Sequence, residues 1–277
     1  MINTKQPNVL GMVASPDPRG RTQDVVRRAL DGAAAGGLAT ELIYLGDFAS
    51  KPCRDCRPWN CRTTKRCRLD EDGHFAYLST RFLAADAVVF GSPVYYGIAS
   101  ESANAFFQRM HRIWAGRAAG VPALGVAVAG GTGGGLLSGL KPIYHFFRMM
   151  GMRGIEGLPV TRFNAEPALE QAFDLGGKLV ERMRDRQPFA GLEALAWYDD
   201  LPYLSASLVE ERVFLVEQVA ASLEDRDSLE ASACREALAD AKRLLEAGRR
   251  GAALPLIDLA YSEGLKAFEA PKALSVG

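Results

Sequence analysis

Histidine is scarce in this chain. Only three occur in 277 residues, and His74, His111 and His145 have no spacing that pairs them with a nucleophile or with one another as metal ligands. We expect them to be structural or surface residues, and no triad-type chemistry follows from them. No run reaches the ~18 apolar residues of a membrane span. Met1–Pro7 is polar and lacks the apolar stretch of a signal peptide, so the expected location is the cytoplasm, without a membrane partner. Net charge is absent too: 33 Lys and Arg balance 33 Asp and Glu, and no general attraction to polyanions follows. No repeat of 20–50 residues is visible. What remains, with 48% hydrophobic residues, is the composition of an ordinary globular protein able to bury a core.

Against this plain background four cysteines fall within fifteen residues, Cys53, Cys56, Cys61 and Cys67, spaced C-x2-C-x4-C-x5-C. Thiolates so close together on a Pro- and Arg-rich segment can converge on one metal centre, and both an iron–sulfur cluster and zinc are chemically open. A disulfide-stapled loop fits poorly with a chain that shows no mark of secretion. The loop, residues 51–68, also carries Lys51, Arg54, Arg57, Arg62, Lys65, Arg66 and Arg68 against Asp55. These cations are expected to favour the thiolate form and to offset an anionic cluster. Apart from Trp59 the basic loop lacks stacking residues, so nucleic acid is not an expected partner. Cys234 stands alone in a helical pattern and is expected to be a packed thiol.

Alternation of apolar runs with helical periodicity organises residues 8–186. Strands are expected at 8–14, 39–45, 86–91, 121–129 and 155–161, with helices between them, which describes a doubly wound, five-stranded parallel sheet of order 2-1-3-4-5. The central runs do not alternate, as suits strands covered on both faces. Three unusual loops follow the first, third and fourth strands. Ser15–Thr22 feeds a helix start, whose free N–H groups and dipole suit a phosphate; Ser15, Arg19, Gly20, Arg21 and Thr22 are the candidates, the alternative being a plain turn capped by Thr22. Ser92-Pro93-Val94-Tyr95-Tyr96-Gly97 follows the third strand. Gly130–Gly135, with Gly130, Gly131 and Thr132 as candidates, follows the fourth, where glycine permits close approach to a flat ligand. All three loops fall at strand carboxyl ends, where such sheets bind ligands.

The pattern lapses over 187–204, read as a linker whose Trp197 and Tyr198 pack on the sheet body. Residues 205–277 read as an all-helical extension. Ser207-x-x-Glu210 and Asp227-x-x-Glu230 have the capping-box spacing, Gly248 and Gly251 are placed to close the second helix, and Pro255 suits the first turn of a third. Apolar stripes at Leu208, Val216, Val219, Leu223 and at Leu229, Ala233, Ala237, Leu244 require cover. Residues 200–277 hold nine Lys or Arg and fourteen Asp or Glu, leaving about +5 on the rest by subtraction from zero.

Over about residues 8–186 these motifs resemble the flavodoxin-like NADPH-dependent FMN reductases, and within them the iron–sulfur flavoproteins. Ser15, Pro16, Gly20 and Thr22 match the phosphate loop, while Ala14, Asp17 and Arg21 depart from it. The four cysteines with Asp70 and Glu71 match the cysteine loop, with a longer gap between Cys56 and Cys61. Ser92, Pro93, Val94, Tyr95 and Gly97 match the third motif. The resemblance implies FMN across the three loops, a [4Fe-4S] cluster on Cys53, Cys56, Cys61 and Cys67, and chemistry belonging to the cofactors, with no side chain required as acid or base. It implies NAD(P)H or ferredoxin as donor and a quinone or small oxidant as acceptor. Two alternatives stay open: an NAD(P)H-dependent FMN or quinone reductase whose cysteine loop holds zinc or no metal, and a redox sensor that signals through its helical tail. A homodimer or homotetramer is expected, because the second strand and the flavin-bearing loops lie apart within one chain.

Overall fold

A computed structural model describes residues 8–48, 51–56 and 58–271. Met1–Pro7, Arg57 and the side chain of Trp59 lie outside what is described. The chain divides into two compact units, residues 1–160 with 165–205, and residues 161–164 with 206–277.

In the first unit β1 (Asn8–Val13), β2 (Ala39–Tyr44), β3 (Ala87–Tyr95) and β5 (Pro122–Val128) form a parallel sheet of order β2-β1-β3-β5, continued beyond β5 by β6 (Arg153–Gly154) and β7 (Leu158–Val160). This is the doubly wound order expected. The apolar runs of β1, β3 and β5 are buried on both faces because helices cover each side. One side is closed by α1 (Arg21–Ala35) and α6 (Ala165–Arg184), with Val25, Val26, Ala29, Leu175 and Leu179 in the core. A Cβ at Gly32 would overlap the Phe173 carbonyl and one at Gly176 the Ala29 carbonyl, so these two glycines bring the helices into backbone contact. On the other side, α3 (His74–Ala84), α4 (Glu101–Trp114) and α5 (Leu136–Met150) pack aromatics against β3. The Phe107 and Phe146 rings stack at 4.4 Å and Phe90 lies 4.8 Å from Phe107.

Two strands differ from their sequence pattern. The third continues through Ser92-Pro93-Val94 to Tyr95, and turns into a short antiparallel β4 (Ile98–Ala99). The fifth, expected as one run over 155–161, is broken. Ala123 pairs with Gly154 and Val126 with Leu158, so three residues, 155–157, oppose two, 124–125. The cause is Tyr144. Its hydroxyl accepts from Gly125 N (3.1 Å) and donates to Ile155 O (2.7 Å), replacing ladder bonds at the break. Gly125, Gly154 and Gly157 lack the Cβ atoms that would strike its ring. The extra residue makes a bulge of the kind that bends a sheet edge.

The expected linker holds a short helix, α7 (Glu193–Asp199), which the sequence reading missed. It is fastened to the sheet body: Trp197 Nε1 donates to Gly154 O (2.8 Å) and the Tyr198 hydroxyl to Met152 O (2.8 Å). Arg153 lies over the rings of both Phe189 and Trp197, at 4.2 and 4.8 Å.

The second unit packs α8 (Leu208–Ala221), α9 (Leu229–Glu246) and α10 (Arg250–Glu269) around Val216, Val219, Leu223, Cys234, Ile257 and Ala260. Ser207 and Glu210 form the capping box expected. At α9 the cap is Ser228, whose side chain accepts from Ala231 N, rather than Asp227. Gly251 lies inside α10 instead of closing α9, and Pro255 falls past the first turn of α10. The buried stripe of α9 is Ala231, Cys234, Ala237, Leu238 and Ala241, which shares Ala237 with the stripe expected; Ala233 and Leu244 are half-buried, and Leu208 and Leu229 stand exposed at helix starts. Most of the tail's apolar residues therefore find cover within the three helices.

Replacing Tyr144 by Phe would strand Gly125 N and Ile155 O in the core. An unsatisfied buried polar group costs about 1–3 kcal/mol, so Tyr144→Phe is expected to lower the urea midpoint of unfolding by a corresponding amount at unchanged slope.

Candidate functional site

The loop after β1 is held by Asp17. Ser15, 7% exposed, accepts from Asp17 N through its hydroxyl (3.2 Å), while Asp17 Oδ1 accepts from Arg19 N (2.9 Å) and Asp17 O from Gly20 N (3.3 Å). Asp17 is thus a loop-shaping residue where the resemblance has an arginine. Gly20 is the N-cap of α1 and no side chain caps it, so the helix start offers backbone donors and the positive end of the dipole. Thr22 is not the cap; it is buried, and its methyl group lies against the position a Cβ of Gly91 would take. Arg19 and Arg21 are exposed beside this turn.

The loop after β3 is a two-residue turn. Tyr95 pairs with Ile98, and Tyr96 (φ 57°) and Gly97 (φ 75°) both take left-handed backbone, the requirement of the tight hairpin turn. Asn or Gly is usual at the first of these positions; a fully exposed tyrosine there is strain of the kind that gathers at functional sites. Tyr95 and Ile98 are also more than half exposed. Ser92 and Pro93, by contrast, are buried. The Ser92 hydroxyl donates to Pro93 O (2.9 Å) and accepts from Ser100 N (2.9 Å), so it braces the turn from beneath. Val94 packs on α5 at Gly139, where a Cβ would collide with it.

Two contacts join the loops. The Ser100 hydroxyl, at the N-cap of α4, donates to Ala14 O (2.7 Å), and Ala14 N donates to Gly91 O (2.8 Å). Gly135, at the end of the glycine tract, meets Gly97 so closely that a Cβ on Gly135 would lie 2.7 Å from Gly97 Cα. Ser100 was not singled out by sequence reasoning, and Gly135 entered it only as the end of the glycine tract. Gly130, Gly131 and Thr132 lie exposed at the same carboxyl edge, after β5. A recess of about 420 Å³ opens between Pro16, Gly46, Phe48, Tyr95, Ser100 and Glu101. It lies on the β2 side of Tyr95, and its lining does not include the glycine tract. A larger apolar groove, about 510 Å³, runs between α4 and α5 and is lined by Phe107, His111, Lys141, His145, Phe146 and Met149. His111 and His145 thus share one groove. Burial first, then Arg148 and His111, hold the imidazole of His145 below the ordinary histidine pKa.

The four clustered cysteines line one pocket, with Arg54, Asp55, Leu69, Arg109, Arg112 and Ile113. Cys61 is buried because residues Pro58–Thr64 coil into a short helix, α2, that packs on α4. The amide of Cys53 donates to Gln108 Oε1 (3.3 Å) and that of Asp55 to Cys53 Sγ (3.4 Å). Charge reaches the sulfurs largely from α4. Arg109 Nε donates to Cys67 Sγ (3.2 Å), and Arg112 pairs with Asp55. Lys51 instead pairs with Glu71 at 3.8 Å, Lys65 donates to Ile113 O at 3.3 Å, and Arg62, Arg66 and Arg68 face solvent.

The expectation that these cations favour thiolates is corrected for two of the four. Burial, exceeding the pull of Arg112, raises the pKa of Cys53; burial with the neighbouring Cys67 and Cys56 raises that of Cys61. Among the described residues no group of three or more His, Cys, Asp or Glu is set to hold a metal ion. The four cysteines line one pocket. A single zinc would draw its sulfurs to ~3.8 Å of one another, from tetrahedral geometry and Zn–S bonds of about 2.3 Å. Four thiolates on four separate irons of a cluster require a wider ring. In kind and number the four cysteines suit an iron–sulfur cluster, and a buried nitrogen of Arg109 in the same wall lacks a hydrogen-bond partner. Cys234 lies in the core of the helical unit, remote in sequence, its pKa raised by burial.

Comparison with known proteins accords with this geometry. The family described as NADPH-dependent FMN reductase matches residues 7–158. An iron-sulfur flavoprotein of Methanocaldococcus jannaschii is 29% identical over 192 residues, 62% of this chain and 95% of its own. The iron-sulfur flavoprotein of Methanosarcina thermophila is 26% identical over 146 residues, 52% of this chain and 74% of its own. The fold is shared with an NAD(P)H:quinone oxidoreductase from Methanothermobacter marburgensis, with TM-score 0.50 and 16% identity over 63% of this chain and 96% of that one.

Gly135→Val would force apart the two loops that meet at Gly97, in a backbone conformation (φ 78°) that suits glycine. Binding of added FMN, followed by quenching of its fluorescence, is expected to weaken at least about tenfold, ~1.4 kcal/mol, while far-ultraviolet circular dichroism stays unchanged.

Proposed function

Because the chain belongs to the NADPH-dependent FMN reductase family, and is by that membership an FMN-dependent NAD(P)H oxidoreductase, we propose that it carries a [4Fe-4S] cluster beside its flavin and passes electrons between the two. The observation that carries this reading is the single pocket lined by Cys53, Cys56, Cys61 and Cys67 against α4, the helix whose N-cap Ser100 ties together the loops at the flavin edge. Ser100 and Arg109 are nine residues apart, ~14 Å along the helix at 1.5 Å per residue. Flavin supplies two-electron and one-electron exchange and the cluster one-electron exchange, which lets donors and acceptors of different stoichiometry be joined.

The chain's own residues bind and orient. The uncapped start of α1 with Arg19 and Arg21 receives the phosphate; Tyr95, Tyr96 and Gly97 with Gly130–Thr132 border the ring. NAD(P)H or ferredoxin serves as donor and a quinone or small oxidant as acceptor. The protein works as a homo-oligomer, a reading supported by the apolar groove between α4 and α5 and by the exposed Tyr95, Tyr96 and Ile98. The tail's own apolar residues lend it less support than the sequence suggested, since most are covered within the helical unit.

Anaerobically purified protein is expected to contain about four irons, about four acid-labile sulfides and FMN; zinc without sulfide would overturn the cluster. Cys61→Ala should lose iron and sulfide and keep FMN, because the flavin loops are separate elements. Light scattering on the full chain checks the assembly, and a monodisperse monomer with both cofactors would remove it.

A further inference from the structure

Arg109 heads the large side chains that are almost fully buried, with 2% of its surface exposed. Its guanidinium lies 4.3 Å over the ring of Phe75, and Nε donates to Cys67 Sγ at 3.2 Å. Asp70, itself buried, forms an ion pair with Nη2 at 3.6 Å without a hydrogen bond, and its two oxygens also accept from the first turn of α3, from Phe75 N (2.7 Å) and Ala76 N (2.8 Å). Nη2 is buried without a hydrogen-bond partner. Asp70 offsets part of this buried charge, while Nε faces a cysteine sulfur in the wall of the four-cysteine pocket, an environment in which a guanidinium favours further negative charge.

We propose that Arg109 is a positioning residue that raises the reduction potential of the [4Fe-4S] cluster, through its Nε–H bond to ligand Cys67 and through its permanent charge. The proposal rests on the cluster reading above. One-electron reduction adds a negative charge to the thiolate-bound cluster. A donor to a ligand sulfur and a nearby cation both stabilise that reduced form more than the oxidised one, so the potential rises. Lysine cannot substitute fully, since an ammonium keeps the charge and loses the planar fork that serves Cys67 and the ring of Phe75 together.

The test is a potentiometric titration, with dithionite as reductant, of the full-length holoprotein and of Arg109→Met and Arg109→Lys, following the cluster and flavin couples separately. Arg109→Met is expected to lower the cluster potential by at least a tenfold change in its one-electron equilibrium, about 59 mV. Arg109→Lys should lower it less, and the flavin couple should stay in place in both. Should Arg109→Met not fold, Arg109→Lys alone decides. A wild-type cluster potential in variants with full iron and sulfide would overturn the proposal, as would loss of the cluster from both with FMN retained, which would make Arg109 an assembly residue. Wild-type protein without sulfide would remove the cluster reading itself, a result distinct from either.

Discussion

The carbonyl of Ala14 sits where β1 gives out, and the Ser100 hydroxyl that bonds to it reaches across 86 positions of sequence. On that bond depend the register of the loop after β1 against the loop after β3, the start of α4 and hence the direction in which α4 carries Arg109 and Arg112 to the cysteines. Ser100 does three jobs with one side chain and one amide: it donates to Ala14, accepts from Ala103 N to cap α4, and donates its own N–H to Ser92. Such a buried polar node is stable because each of these groups is satisfied, and a half-satisfied one would cost more than an apolar contact.

Charge at the cysteine pocket is arranged differently from what a basic loop suggests. The loop's lysines and arginines mostly point outward or pair elsewhere, whereas α4 supplies two of the three arginines that line the pocket, Arg109 and Arg112, beside Arg54 of the loop. A helix fixes its side chains relative to one another far better than a loop does, and arginine tolerates burial by spreading its charge over a plane that can lie on an aromatic ring. Burial of Cys53 and Cys61 meanwhile favours their neutral thiols.

Much of the fold was legible because strands β1, β3 and β5 are uninterrupted apolar runs and the loops after them are glycine- or serine-rich. What escaped has physical reasons. Tyr144 looks like one more aromatic on a helical stripe, and nothing in the pattern says that its hydroxyl will enter the sheet and split the fifth strand. Helices α2 and α7 have seven residues each, too short for periodicity to register. Arg109 occupies a helical position that composition assigns to solvent; it is buried because the cysteine loop folds over that side of α4, a tertiary fact. The cysteines were legible as a group, while the pocket they line against α4 required the coordinates. Ser92 and Pro93 matched a motif, yet they lie beneath the site, bracing the turn that presents Tyr95 and Tyr96.

Residues 161–164 count with the helical unit although β7 precedes them and α6 follows them in the sheet unit. Phe163 is part of the helical core and its ring lies 4.9 Å from that of Phe268, near the far end of the chain; Arg162 pairs with Glu269. The helical unit is therefore completed by a piece of chain made some forty residues before α8, about the length from Phe163 to Leu208. No single cut separates the two units. Shortening the chain at Ser205 would leave Phe163 behind without its core, a sticky remnant on an otherwise finished domain, and a shortened protein that aggregates would be reporting on that one ring.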